Sequence, residues 1–431
     1  MRKFILMLAV TASLCLTACG GGGGGDSSSK TVAAPTGTGT PTPTNTPVTT
    51  TSSLATDASA VPTAVGASNT LLVTVSNTAT INQPMVNVTI CAPGTNATTN
   101  CTVVPNVLVD TASFGLRLFA STIPTTLASL PIETDTASGK TITECAIFGS
   151  ANAYGSVRVA DVKLSGEIAQ NVPVHILADS SITAAEPSEC VVNQTASSPS
   201  TLRANGILGI GTSAQDCGSQ CQNSVIAKSY YATDASSNTS IAVPVAKQVA
   251  NPVALFAQDN NGVILEMAQV PDTGTTLTTG TLVLGIDTQA NNTLASTGAT
   301  LLTTTQYGDF TATYNGTSTI SFIDSGSNAL FFADTSIPRL ASGFYAPAAT
   351  AGHAVTISAS NLAGVSVGFN IANANTLAAS GGYAFNNVGA YQPAQFDLGL
   401  PFMFGRHVFY GIDSKSSLGG GAGPYVAYTS S

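Results

Sequence analysis

Val107-Leu108-Val109-Asp110-Thr111-Ala112-Ser113 carries three apolar residues into an aspartate and then into small, mostly hydroxylated ones. Far downstream the pattern returns as Ile320-Ser321-Phe322-Ile323-Asp324-Ser325-Gly326-Ser327. Each time a β-prone run delivers one carboxylate into a tight turn. Only 8% of the chain is Asp, Glu, Lys or Arg, so an acid at the end of a buried-looking strand stands out. Burying a lone carboxylate is costly unless it is paired or hydrogen-bonded, and perturbed acids concentrate at functional sites. Two acids in two such similar settings are expected to meet.

The chain of 431 residues has no Trp and a net charge of −9. Its length accommodates two or more domains, or one large two-lobed one. Short β-rich runs between polar turns predict an all-β protein with few, short helices. The negative charge argues against nucleic acid or an anionic membrane surface as a partner; its simplest role is solubility.

Residues 1–19 read as a targeting segment: Arg2 and Lys3 are its basic end and Phe4 to Leu14 its apolar stretch, too short for a usual spanning helix. Leu16-Thr17-Ala18-Cys19 resembles a bacterial lipobox, which makes Cys19 the lipidated first residue of the mature chain; an ordinary cleaved signal peptide is the alternative. Gly20 after the cysteine, where lipoprotein sorting rules use Asp for retention, favours the outer membrane, on its periplasmic face or at the cell surface. Residues 20–65 are rich in Gly, Ser, Thr and Pro. Such a segment cannot bury enough apolar surface to fold, and it reads as a disordered tether.

With Cys15 removed in the signal and Cys19 taken by lipid, six of the eight cysteines remain: Cys91, Cys101, Cys145, Cys190, Cys217 and Cys221. An even number in an exported chain reads as three disulfides, whose pairing sequence cannot select. Nearest-neighbour pairing is the expectation here. Asp216 beside Cys217 and Cys221 raises the alternative of a metal; the oxidising compartment favours the disulfide, and no metal or other cofactor is expected. Strands are expected at Leu71 to Val75, Met85 to Ile90, up to Asp110, Gly155 to Val162, Pro173 to Ile176 and through Asn205-Gly206-Ile207-Leu208-Gly209-Ile210-Gly211. A second half restarts near Pro252, with strands at Val253 to Phe256, Thr281 to Gly285, up to Asp324, Val365 to Ile371, Phe396 to Phe404 and Val408 to Tyr410. The lobes are therefore drawn as 66–250 and 251–431, each with an Asp turn followed by an apolar-apolar-Gly run.

This ordered set of motifs resembles the pepsin-like, two-lobed aspartic peptidases. Asp110-Thr111-Ala112-Ser113 is similar to that family's first Asp-Thr-Gly-Ser motif and Asp324-Ser325-Gly326-Ser327 to its second. Asn205 to Ile210 resembles the first lobe's Asp-Gly-Ile-Leu-Gly-Leu run, Gly280 to Asp287 the opening of the second lobe, and Leu398-Gly399-Leu400-Pro401-Phe402 its last Leu-Gly-Asp-x-Phe element, with Tyr410 to Asp413 as the closing strand. The lipobox and tether also resemble a family of proteobacterial lipoproteins. The resemblance implies a bilobal, pepsin-like acid-protease fold. It also implies a catalytic pair, Asp110 and Asp324, that share a proton and activate a water against a peptide bond, the dyad being a standard worked case of such chemistry. Thr111 and Ser325 would lock the two turns together, and Ser113 and Ser327 would orient the carboxylates. The implied partner is a peptide or unfolded protein, met by a monomer. An inhibitory propeptide in place of the tether would need basic residues against the dyad, and that segment has only Lys30.

Besides lacking the family's disulfide just after the first motif, the sequence departs from the pattern at three residue positions. Ala112 stands for Gly, Phe148-Gly149 stands where the flap's Tyr-Gly belongs, and Arg117 stands for the Trp that normally bonds that Tyr. These departures support the alternative, a catalytically weak or inactive relative that binds peptides or acts as an envelope scaffold. Gly364-Val365-Ser366-Val367-Gly368 matches a serine-hydrolase elbow, which requires a strand-turn-helix setting; the alternation running on through Phe369 and Ile371 argues for a chance match. His175, His353 and His407 lack metal-ligand spacing; His175 reads as structural and His407 as solvated. Changing Cys19→Ser is expected to release the protein from the membrane fraction; retention would remove the lipid anchor from this reading.

Overall fold

The computed structural model describes residues 58–430. The lipobox, Cys19 and the tether up to residue 57 lie outside the described residues. Strands dominate, and no α-helix among the described residues is longer than six residues.

The two halves of the chain are built on the same local plan. The strand Thr102–Asp110 pairs in parallel with Gly206–Ile210, placing Asp110 opposite Gly209. After the turn, Phe114–Phe119 returns antiparallel along the other edge of Gly206–Ile210. In the second half Thr317–Asp324 pairs in parallel with Gln395–Gly399, placing Asp324 opposite Gly399, and Leu330–Phe332 returns antiparallel along the same strand. The glycines are required by this packing. A Cβ at Gly209 would lie 2.7 Å from Phe114 N, and one at Gly399 would lie 2.2 Å from Ala329 O and 2.6 Å from Ser327 O. Each aspartate turn thus closes directly over a glycine, which explains why each apolar run in the sequence carries one.

The lobes are joined by hydrogen-bonded sheet. Thr70–Val75, from the first half, pairs antiparallel with Thr278–Leu284, which continues through Gly262–Met267 and His407–Gly411 to Tyr425–Thr429. One buried apolar cluster runs through both halves, from Val73, Val107 and Val109 to Ile323, Leu398 and Phe402. The all-β, two-lobed, pepsin-like architecture expected from the sequence is the one the chain adopts.

Four elements differ from expectation. Pro252–Leu255 is a 3-10 turn and not a strand: Asn251 caps it, its side chain accepting from Val253 N at 3.1 Å, and Pro252 presets the first helical φ. The strand from Phe396 ends at Gly399, because Leu400–Met403 forms a helical turn with Pro401 at its start. The chain does not close at Tyr410 to Asp413; the strand Tyr425–Thr429 follows and pairs outside it. The tether expected to reach Val65 is docked from residue 58 onward. Ala60 N donates to Gly405 O, Thr63 N to Glu266 Oε2 at 2.6 Å, Thr281 Oγ1 to Thr63 O, and His407 Nε2 to Val61 O. His407 is therefore held under this strap and is not simply solvated. Ser59 N donates to Ser430 O, so both ends of the described chain lie side by side.

The three disulfides are Cys91–Cys101, Cys145–Cys190 and Cys217–Cys221. With both cysteines of the last pair in a disulfide, neither is a metal ligand. Their sequence separations of 45 for Cys145–Cys190 and 4 for Cys217–Cys221 set different chain-entropy gains. Replacing Cys145 and Cys190 by Ala is expected to cost about 4 kcal/mol and replacing Cys217 and Cys221 about 2 kcal/mol. Urea unfolding of the two variants measures the order, and a costlier loss of the short loop would contradict it.

Candidate active site

Thr111 and Ser325 exchange hydrogen bonds between the two halves. Ser325 Oγ donates to Val109 O at 2.7 Å and accepts from Thr111 N at 3.2 Å. Thr111 Oγ1 donates to Ile323 O at 3.4 Å and accepts from Ser325 N at 2.9 Å. Each hydroxyl uses both its donor and its acceptor capacity, and each reaches the backbone just before the other half's aspartate. The aspartates are thereby fixed against one another.

Within each turn the carboxylate is oriented twice. Asp110 Oδ1 accepts from Ala112 N at 3.0 Å and Oδ2 from Ser113 Oγ at 2.6 Å. Asp324 Oδ1 accepts from Gly326 N at 2.7 Å and Oδ2 from Ser327 Oγ at 2.8 Å. Both carboxyls crowd Gly326: a Cβ there would fall 2.9 Å from Asp110 Cγ and 3.2 Å from Asp324 Oδ1. Asp110 and Asp324 are 3% and 4% exposed, and their carboxyls face each other across Gly326. Burial, then the charge of Asp110, then that of Asp397, pushes the Asp324 carboxyl well above the usual carboxylate range. Two like charges this close do not both ionise cheaply.

Two members of this centre were missed in the sequence. Asp397 is 1% exposed and lies opposite Phe322, two residues before Asp324, on the neighbouring parallel strand. Its signal was available: a single carboxylate inside Phe396-Asp397-Leu398. Tyr410 is buried, and its hydroxyl donates to Ile323 O at 3.1 Å. Burial, with the nearby carboxylates adding to it, keeps that phenol well above its ordinary value, so it stays a donor.

Phe148 and Gly149 lie at the tip of the hairpin formed by Thr141–Ile147 and Ala151–Leu164. Phe148 packs into a small core with Leu108, Phe119 and Ile207, and Asn193 Nδ2 donates to its carbonyl at 2.8 Å. Arg117 does not take up a tryptophan's apolar role. It is buried, its Nη2 lies 2.5 Å from Glu144 Oε1 and 3.4 Å from Asp216 Oδ2, and its guanidinium faces the Phe148 ring at 5.7 Å. His175 is fully buried with Nδ1 2.8 Å from Glu144 Oε2, whereas His353 lies beside Tyr314. Ser366 lies inside the strand Leu362–Ile371, paired with Thr356, so the elbow motif has no elbow.

A carboxyl whose pKa is higher folded than unfolded binds extra proton in the native state between those two values, so stability falls as pH rises through that window. Asp324 is such a group. Asp324→Asn is expected to raise Tm by a few degrees at neutral pH, with the gain fading below the unfolded carboxyl's value of about 3.9. Thermal melts of both proteins across that range test this, and a gain independent of pH would contradict it.

A family model described as a protein of unknown function (DUF3443) matches residues 65–428. No curated protein matches the chain. Among solved structures, the chain is similar to the aspartic proteinase from Irpex lacteus, with a TM-score of 0.44 and 15% identity over 83% of this chain and 97% of that one.

Proposed function

The chain belongs to the DUF3443 family, and we propose that it is a pepsin-like aspartic endopeptidase working through Asp110 and Asp324. The observation that carries the reading is the pair itself: two buried carboxyls from two turns, each oriented by its own serine and backbone N–H, meeting over Gly326. Burial and the charge of Asp110 push the Asp324 carboxyl well above the usual carboxylate range, which supports a proton retained by the pair. In this reading Asp110 takes a proton from a water lying between the carboxyls. Asp324 donates its proton to the carbonyl oxygen of the bond to be cut, and the water oxygen attacks the carbonyl carbon to give a tetrahedral diol. Proton return to the leaving nitrogen completes cleavage and restores the pair.

The departures from the family's motifs favour the second reading, a weak or inactive peptide-binding relative. Of the three, the flap position carries most weight. Phe148 has no hydroxyl to offer a substrate, and its ring packs into the lobe and beside Arg117. Lipidation at Cys19 and attachment to the outer membrane are part of the proposal, supported by the Leu-Thr-Ala-Cys box.

The test uses the purified chain on an unstructured protein such as casein between acid and neutral pH. Cleavage is expected to follow a bell-shaped profile on the acid side, because one carboxyl must be charged and one protonated. Asp110→Asn and Asp324→Asn are each expected to lower turnover by about a thousandfold or more, since members of one catalytic unit fail together. A statine-type inhibitor, which resembles the diol, is expected to compete with substrate. Equal inertness of the three folded proteins would leave the binding or scaffold reading in place.

A further inference from the structure

The hairpin tip and the first aspartate turn border one small space. Ser113, whose hydroxyl donates to Asp110, lines it together with Phe114, with Ile147 and Phe148 of the hairpin and with Tyr307 of the second lobe. It holds about 60 Å³, well short of the roughly 300–1,000 Å³ of pockets that take a ligand. Neither rim is loose. The loop that carries Tyr307 is pinned to the first lobe, because Thr212 Oγ1 and Ser213 Oγ both donate to Gln306 O, at 2.9 Å and 2.7 Å. Phe148 is buried and packs with Leu108, Phe119 and Ile207. A peptide needs more room than this, so one rim must move before a peptide reaches the carboxyls.

The rim that carries its own release is the hairpin tip. Its closure is imperfect, since Ser150 Oγ is buried with no hydrogen-bond partner among the described residues. Opening to water would relieve that cost. Closure is maintained from outside the hairpin, by the loop over residues 178–196. Asn193 Nδ2 donates to Phe148 O at 2.8 Å and to Gly149 O at 3.4 Å. Asn193 N donates to Asn152 Oδ1 at 3.0 Å, and Gln194–Thr195 pairs in parallel with Ala151 and Asn152. The Cys145–Cys190 disulfide ties the same loop to the hairpin strand Thr141–Ile147. The loop's far end is bedded in the lobe, where Ala196 packs into the same core as Leu108 and Ile207. Asn193 is exposed, so its two side-chain bonds to the tip compete with water and hold it only modestly. That suits a fastening that opens.

We propose that the tip Phe148-Gly149-Ser150 is a lid over the dyad, and that Asn193 is the latch that holds it shut. Asn193 touches no reacting group and acts through the lid. Opening trades two exposed hydrogen bonds and the packing of Phe148 for hydration of Ser150 and of the tip carbonyls, a local event of the kind by which lids admit substrate. The disulfide keeps the loop beside the hairpin strand while the tip swings, so the latch closes again in the same place. Peptide entry under the lid rests on the peptidase reading; the motion of the lid does not.

The test reads the two apart. Amide exchange followed by mass spectrometry is compared in the wild type, Asn193→Ala and Asn193→Asp, the last keeping the side chain's size while losing the Nδ2 donor. Exchange over residues 147–151 is expected to quicken about fivefold in both variants, with Tm unchanged. Association of a fluorescent statine-type peptide, followed by anisotropy, is expected to quicken by about the same factor. Exchange at the tip that is unchanged in both variants, or that quickens only over residues 178–196, overturns the latch. Faster exchange at the tip with unchanged association of the peptide overturns the lid. Faster exchange at the tip with no statine peptide bound by any of the three proteins sustains the latch and overturns the peptidase reading alone.

Discussion

The two halves of this protein depend on a reciprocal exchange between Thr111 and Ser325. Each side chain donates to a carbonyl of the opposite half and accepts an opposite N–H. All four bonds are buried, so losing either hydroxyl would strand backbone groups away from water, a cost larger than the modest net value of an ordinary hydrogen bond. The exchange also explains the residue types: only a short hydroxyl both donates and accepts while letting two backbones come this close. Everything catalytic in the proposal follows from it, because the aspartates are the neighbours of these two residues in the chain.

Much of this was legible in the sequence. Strands ending in Asp110 and Asp324 were readable because a charge-poor chain places each acid after an apolar run, and the matching Gly209 and Gly399 were readable as part of apolar runs. What stayed hidden was the reason for those glycines, which is the turn of each motif lying directly on them. Local signals that compete at one place also misled: Val253 and Phe256 favour a strand, but the cap from Asn251 and the fixed φ of Pro252 prevail. Composition likewise drew the tether too far, because the stretch just before Gly66 is held by hydrogen bonds to Glu266, Gly405 and His407 that lie far away in sequence.

The third kind of hidden feature is electrostatic. Arg117, Glu144, Asp216 and His175 come from four separate stretches, and no spacing rule connects them. Only the sheet does: Arg117 is in register with His175, whose strand pairs with the one next to Glu144, and the Cys217–Cys221 loop brings Asp216 across. Such a cluster is weak evidence for stability, since desolvating its charges offsets much of their attraction.

The departure at Ala112 has a physical resolution in the asymmetry of the dyad. The pseudo-symmetric partner of Ala112 is Gly326, and the two positions are not equivalent. A Cβ at Gly326 would press on Asp110 Cγ at 2.9 Å, so that residue has no room for a side chain. Ala112 carries its methyl 1% exposed and still donates its N–H to Asp110 Oδ1 at 3.0 Å. The substitution therefore removes none of the hydrogen bonds that orient Asp110. The carboxyl pushed up by its surroundings is Asp324, on the side where Asp397 adds a third acid. The two turns are thus asymmetric: Ala112 has room for its methyl where Gly326 has none, and Asp397 adds a third acid near Asp324.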